Sequence, residues 1–106
     1  MGIEMVGVDG RSAPIVVCDH CGARICNGDG NAAYRYSDDN KITLVGPYFI
    51  HKQCTITWER AHPLESELWL MDELQTWLGY LVKNSGYTLE QVKDSVAVVD
   101  YLSESL

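Results

Sequence analysis

The spacing of apolar positions changes along this chain, from short β-type runs before residue 62 to helical spacing after it. Ile3 to Val8 partly alternates between apolar and other residues, and Ile15 to Val17 is a β-branched run, so both predict strands. Ala32 to Tyr36 and Ile42 to Val45 flank a turn-rich tetrapeptide. These two runs therefore predict the arms of a β-hairpin.

The remaining segments predict three helices. A short helix is expected from Cys54 to about Ala61, because the residue before Pro63 is disfavoured in helical backbone. A second helix is expected to begin at Pro63 and to stop at residues 84–86, where Gly86 suits a left-handed cap. Its apolar stripe has 3–4 spacing and consists of Leu64, Leu68, Met71, Leu74 or Gln75, Leu78 and Leu81. The capping-box pattern from Thr88 to Gln91 predicts a third helix, with the stripe Leu89, Val92, Val96, Val99 and Leu102 or Ser103.

This order predicts an α+β fold in one small domain. Residues 1–62 would form a β-rich region, and residues 63–106 an acidic amphipathic helical hairpin packed on it. A chain of 106 residues fits a single domain. So short a chain buries a modest core, and a bound metal would add to its stability.

The net charge of −7 is concentrated in the C-terminal part. Residues 1–62 carry seven acids against six basic residues, whereas residues 63–106 carry eight acids against two lysines. Polyanion binding needs clustered Lys and Arg, so the C-terminal part would repel phosphate.

The sequence predicts a cytoplasmic protein without a membrane association. Its apolar runs are shorter than the roughly 18–20 residues that span a bilayer. The first residues show no basic stretch followed by an apolar one, the pattern of a secretory signal. In a reducing compartment, closely spaced cysteines are more often metal ligands or redox groups than disulfides.

Two short motifs have the spacing of a zinc site. Cys18 and Cys21 lie in CDHCG, where Gly22 lets the backbone turn back sharply. His51 and Cys54 repeat the spacing in HKQC, at the predicted start of a helix. Three thiolates and one imidazole form a closed tetrahedral shell for Zn²⁺. The sequence therefore predicts one zinc ion, held by these four residues.

Other interpretations of the cysteines remain open at this point. They are a redox dithiol, a disulfide and plain buried thiols, although a redox motif of the thioredoxin type needs a βαβ context that this pattern lacks. Cys26 is expected to be a small buried apolar residue and His20 to face solvent, with either one an alternative ligand.

Residues 15–61 resemble treble-clef zinc fingers, and most closely the first zinc module of LIM domains. The similar motifs are CDHCG at 18–22 and YFIHKQC at 48–54. The resemblance implies a structural ion, a zinc knuckle around Cys18 and Cys21, a β-hairpin, a short helix and no catalysis. The chain departs from LIM domains because no cysteine follows Cys54 to build a second module, and because its hairpin segment is longer. Only the metal site is carried over.

The chain shows no pattern of catalytic residues, so we expect it not to be an enzyme.

Trp69, Trp77 and Tyr80 lie off the leucine stripe of the predicted second helix. They indicate either a second buried face or an exposed aromatic patch that binds a partner. The expected function is a non-enzymatic protein–protein interaction module or adaptor, with a homodimer through the C-terminal helices as one arrangement. The alternative is a nucleic-acid-binding transcriptional regulator using Arg11, Arg24, Arg35, Lys41, Lys52 and Arg60.

Overall fold

Two antiparallel strands begin the chain in the computed structural model, which describes residues 2–8, 11–37, 42–64 and 68–104. Strand β1 spans Ile3–Val8 and strand β2 spans Arg11–Val16. Ile3 pairs with Val16 at one end of this two-stranded sheet. The sequence Asp9-Gly10 between the two strands is a turn signal, but these residues lie outside the described part of the chain. The alternating pattern of the first segment is therefore confirmed as a strand.

A second sheet has the order β4-β3-β5 and is antiparallel throughout. Strand β3 spans Gly30–Tyr36, strand β4 spans Leu44–His51 and strand β5 spans Leu70–Glu73. Strands β3 and β4 confirm the predicted hairpin. The Gly46-Pro47 pair is by residue type an interruption signal, but it lies within β4, which continues past it. This continuation brings the end of β4 to His51.

The helix predicted from Pro63 is wrong in its first part. Residues Leu70–Glu73 form strand β5, and helix α2 spans only Leu74–Asn84; residues 65–67 lie outside the described part of the chain. Met71 lies opposite Ala33, so the main chain of this segment hydrogen-bonds to β3. Pairing with a strand that is distant in sequence overrides the local helical spacing.

The other two predicted helices are confirmed. Helix α1 spans Thr55–Ala61 and follows a 3-10 turn at Lys52–Cys54. Helix α3 spans Leu89–Glu104 and begins with the predicted capping box. The backbone N–H of Thr88 donates to Oε1 of Gln91 at 2.8 Å, and the N–H of Gln91 donates to Oγ1 of Thr88 at 3.1 Å. The fold is thus a small α+β structure.

The described core is centred on the three-stranded sheet, which supplies four of its eight buried members. Its buried members are Cys18, Ile25, Ala32, Ala33, Phe49, Ile50, Trp58 and Leu74. The adjacent Ala32 and Ala33 are both fully buried, so both faces of the central strand β3 are covered. Helix α1 contributes Trp58 and helix α2 contributes Leu74. One cluster therefore joins the sheet, two helices and a cysteine of the CxxC motif.

Helix α3 differs from the other helices because most of its apolar side chains are exposed. Leu89, Val96 and Val99 are 69%, 56% and 57% exposed, whereas Val92 is half-buried. The part of the predicted stripe from Leu89 to Val99 lies on this helix and is largely uncovered, whereas the side chains of residues 102 and 103 lie outside the described ones. No helix in the described part of the chain is long and apolar enough to cross a membrane.

Candidate metal centre

The fold brings Cys18, Cys21, His51 and Cys54 together at one point. Their ligand atoms, three sulfurs and one imidazole nitrogen, all lie within 4.8 Å of one another. Cys18 and Cys21 follow strand β2, and His51 is the last residue of β4. Cys54 ends the 3-10 turn and directly precedes α1. Residues that are 30 or more positions apart in sequence thus form a compact group that suits a metal ion.

A tight turn positions the first pair of thiols. The backbone N–H of Gly22 donates to the carbonyl of Cys18 at 2.9 Å, and the N–H of Cys18 donates to the carbonyl of Ala23, also at 2.9 Å. Gly22 has a φ of 77°, which is in the left-handed region that glycine adopts without a steric penalty. The glycine after the second cysteine therefore lets the backbone reverse its direction within the turn that these two hydrogen bonds close. Its place in CDHCG predicts this role.

The sulfur of Cys18 lies among backbone donors. The N–H groups of His20, Cys21 and His51 point to it at 3.4, 3.5 and 3.3 Å. Burial by itself would raise the pKa of this thiol, but these donors and the His51 side chain lower the pKa from 9.0 to about 6. Cys18 is thus prepared to carry the negative charge that a metal ligand needs.

The pKa of the Cys54 thiol is shifted in the opposite direction. Burial and the nearby negative charge of Cys18 raise the pKa of the Cys54 thiol from 9.0 to about 11, with further contributions from hydrogen bonds to Cys18 and Cys21. Closely spaced thiols cannot all ionise together, because the resulting thiolates repel one another. A divalent cation among them would remove this repulsion, which is the electrostatic property of a metal site.

The imidazole of His51 is oriented by a backbone carbonyl. Its Nε2 lies 3.1 Å from the carbonyl oxygen of Arg24, and its Nδ1 lies 3.3 Å from the sulfur of Cys21. A carbonyl only accepts, so Nε2 carries the proton and Nδ1 keeps a free lone pair facing the thiols. Metal-binding histidines commonly donate their second N–H in this way.

A short chain of hydrogen bonds fixes the backbone of His51 as well. Oγ1 of Thr55 donates to the carbonyl of His51 at 3.0 Å, and Nδ2 of Asn31 donates to the same Thr55 hydroxyl at 3.1 Å. Asn31 belongs to β3 and Thr55 opens α1. The end of β4 is therefore linked to the sheet and to the helix beside the four ligand atoms.

Sequence reasoning missed Asp19, which fastens the CxxC turn to β4. Its backbone N–H donates to the carbonyl of Phe49 at 2.7 Å, and its Oδ2 accepts from the N–H of Phe49 at 2.8 Å. Phe49 pairs with Ala32 in the sheet, so Asp19 bonds to β4 from outside that ladder. An acidic residue inside a CxxC gives no sequence signal for this contact.

The two alternative ligands lie outside the cluster. His20 is exposed, as predicted, and takes no part in the group of four ligand atoms. Cys26 is also outside that group and is exposed, so its prediction as a buried apolar residue is wrong. Asn27 and Gly28, which follow it, both have positive φ, so Cys26 lies next to an irregular turn rather than in a regular strand.

The three aromatic residues proposed for binding do not share one helix. Trp69 precedes β5, and its ring centroid lies 4.6 Å from that of Trp58. Trp77 is on α2, where its ring contacts Phe49 edge-on at 5.1 Å. Tyr80, on the same helix, is 55% exposed. The structure thus separates Trp69, which packs in an aromatic cluster, from Trp77 and Tyr80, which line a common surface cavity.

The chain matches no family model, no curated protein and no solved structure. Support for a metal centre therefore comes from the geometry and chemistry of the four ligand residues.

Proposed function

We propose that this chain is a non-enzymatic protein-interaction module whose fold is held by one structural zinc ion. The observation that carries the proposal is the convergence of three cysteine sulfurs and one imidazole nitrogen within 4.8 Å. Zn²⁺ bonds of about 2.3 Å to sulfur and 2.0 Å to nitrogen imply ligand atoms about 3.5–3.8 Å apart in a tetrahedron. The 4.8 Å limit on the observed spacing exceeds this range by about 1 Å, and Sγ of Cys21 lies only 3.3 Å from Nδ1 of His51, so zinc requires a modest rearrangement of the four side chains.

The donor set favours zinc among biological metals. Thiolates are soft ligands that select zinc, copper(I) or iron–sulfur clusters, and three thiolates with one imidazole form a common structural zinc shell. Four protein ligands leave no coordination position for water, whereas a catalytic zinc keeps one position open. The zinc would therefore serve stability rather than catalysis.

The treble-clef interpretation belongs to this proposal. The order of elements supports it: the turn with Cys18 and Cys21, the hairpin of β3 and β4 ending at His51, and Cys54 at the start of α1. In this interpretation the turn is the zinc knuckle. One ion would join the three segments at the edge of the core, to which Cys18 belongs.

The interaction part of the proposal is supported by the exposed apolar side chains of α2 and α3. Leu78, Leu81, Leu89, Val96 and Val99 are all at least 40% exposed. Where such side chains form a large apolar patch on a protein of this size, the patch usually marks an interface. The partner is another protein or a second copy of this chain.

Metal content and association test the two parts separately. Elemental analysis of purified protein should give about one zinc per chain, and folded protein without metal would reject the zinc part.

Sedimentation equilibrium and native pull-downs test the interaction part. Both are run on the natural sequence and on a Val96→Asp, Val99→Asp double variant. Loss of association in the double variant supports it, whereas unchanged association places the interface elsewhere. Salt-dependent retention on a nucleic-acid column would instead favour the regulator alternative.

A further inference from the structure

A cavity of about 260 Å³ lies where β3, β4, β5 and α2 meet. Tyr34 comes from β3, Asp72 from β5 and Trp77 from α2. Residues 44–47 of β4 complete the described lining. The cavity contains none of the four metal-site residues, so it is a separate site. Its volume is below the roughly 300 Å³ at which pockets for drug-sized ligands begin, so it suits a head group or one side chain.

The polar chemistry of the cavity is that of a cation site. Asp72 is the only charged residue among the described residues that line it. The hydroxyl of Tyr34 donates to Oδ2 of Asp72 at 3.3 Å, which orients the carboxylate. Burial raises the pKa of Tyr34 and the negative charge of Asp72 raises it further, so the hydroxyl stays protonated as a donor. A carboxylate has about four acceptor positions, so Asp72 can accept further hydrogen bonds from a ligand.

Trp77 adds an aromatic wall. Its ring is half-buried and is held edge-on against Phe49 at an interplanar angle of 75°. Trp is the side chain whose ring face attracts cations most strongly, and guanidinium groups also stack on it. The same Trp77 lines the neighbouring cavity of about 320 Å³ together with Tyr80, Leu81 and residues 84–85. A ligand at the first cavity therefore has an apolar surface beside it.

The chain segment that supplies Asp72 and Trp77 is acidic. Residues 68–104 carry six acids against two lysines, namely Asp72, Glu73, Glu90, Asp94, Asp100 and Glu104 against Lys83 and Lys93. The net negative charge of this segment favours basic ligands over anions.

We propose that the cavity of Tyr34, Asp72 and Trp77 binds the guanidinium group of an arginine side chain presented by a protein partner. Asp72 accepts from the planar N–H fork, and Trp77 packs against the guanidinium plane. The neighbouring cavity at Tyr80 and Leu81 receives the residues next to the arginine. This inference rests on the interaction part of the proposed function, and the cavity uses none of the four metal-site residues.

N-acetylargininamide is the first probe, added to the zinc-loaded full chain in an NMR titration. The chain has three tryptophans, and Trp77→Phe identifies the indole N–H signal of Trp77. We expect the arginine probe to shift this signal and the citrulline analogue, which has the same shape without the charge, to have little effect. Asp72→Asn should weaken binding about three- to tenfold, because it removes the charge and keeps an acceptor. Glu73→Gln is the matched control, because Glu73 is the next acid in sequence but does not line the cavity.

Equal binding of the citrulline probe, or unchanged binding in Asp72→Asn, would overturn the inference.

The second experiment uses whichever protein is captured by the intact chain. Loss of that protein on Asp72→Asn, with retention on Glu73→Gln, supports an arginine contact. If a partner is captured and the probe does not bind, this inference alone fails. If the probe binds and no partner exists, the interaction proposal fails and the assignment of the cavity to a partner's arginine fails with it.

Discussion

The carbonyl oxygen of Arg24 lies 3.1 Å from Nε2 of His51, on the side of the ring opposite to the cysteines. This contact selects the tautomer in which Nδ1 is the unprotonated nitrogen, and Nδ1 is the atom that lies 3.3 Å from the sulfur of Cys21. A main-chain acceptor thus prepares the imidazole for a metal before any metal binds.

Replacement of His51 by alanine should lower zinc affinity strongly, because one of four ligands and the orientation it receives from Arg24 are lost together. His20→Ala is the matched control, because His20 is an exposed histidine inside the CxxC and lies outside the ligand cluster. Zinc content after dialysis against a weak chelator measures the difference. Equal retention of zinc by both variants would mean that His51 is not a ligand.

Cys54→Ser should release the metal and unfold the region around it, because a neutral hydroxyl is a poor replacement for a thiolate at zinc. Cys26→Ser should keep one zinc and change the free energy of unfolding by less than about 0.5 kcal/mol, because Cys26 is exposed. Urea unfolding and metal analysis of the two variants check this. Loss of zinc from Cys26→Ser, with retention in Cys54→Ser, would reverse the assignment of these two cysteines.

Two glycines should respond to alanine with opposite signs. Gly46 in β4 has a φ of 132°, and a Cβ there would lie 2.9 Å from the carbonyl oxygen of Ala33, so Gly46→Ala should destabilise by about 1–3 kcal/mol. Gly79 lies inside α2, and a Cβ there would meet nothing within 4 Å. Gly79→Ala should therefore stabilise by about 0.5–1 kcal/mol through helix propensity. Thermal unfolding of both variants measures the contrast, and a destabilised Gly79→Ala would contradict it.

The parts of the fold that were predictable from sequence are those that local chemistry specifies. The capping box at Thr88 and Gln91 forms as expected, because both partners of each hydrogen bond lie within one helical turn. The CxxC and HxxC spacings indicated a four-residue cluster, which the fold brings together. In both cases the residue types and their short spacing are enough to predict the contact from sequence.

The parts that failed depend on contacts between distant segments. Strand β5 was assigned to a helix because its apolar spacing fits one, whereas its pairing with β3 depends on a strand about 40 residues earlier. The contact of His51 with Arg24 uses a carbonyl, which every residue possesses, so no side-chain pattern could indicate it. Cys26 lies beside an irregular turn and is exposed, and a cysteine gives no sequence signal of such exposure.

Removal of the metal should unfold the β-rich region and helix α2 in one transition. Cys18 and Leu74 belong to the same core cluster, so α2 packs on residues that the metal site holds in place. Structural zinc supplies an apparent 10–16 kcal/mol in small zinc-finger peptides, which is comparable to or larger than the total stability of a typical domain of about 5–15 kcal/mol. Loss of such a contribution leaves too little to order the core. Helix α3 should contribute little to the transition, because most of its apolar side chains are already exposed.

Acid should produce the same transition as a chelator, because protons and zinc compete for the same four ligand atoms. In the folded state the pKa of Cys18 is lowered from 9.0 to about 6, so its contribution to stability is complete above pH 9 and is lost as the pH falls through about 6. Bound zinc holds the thiols deprotonated still further, so the zinc-loaded protein should stay folded below the pH at which the Cys18 thiol alone would gain its proton. Amide signals of β3, β4 and α2 and released zinc should therefore change together during an acid titration. If the signals of α2 stayed dispersed after zinc release, the helix would have a core of its own, and the single cluster that joins Cys18 to Leu74 would not control its folding.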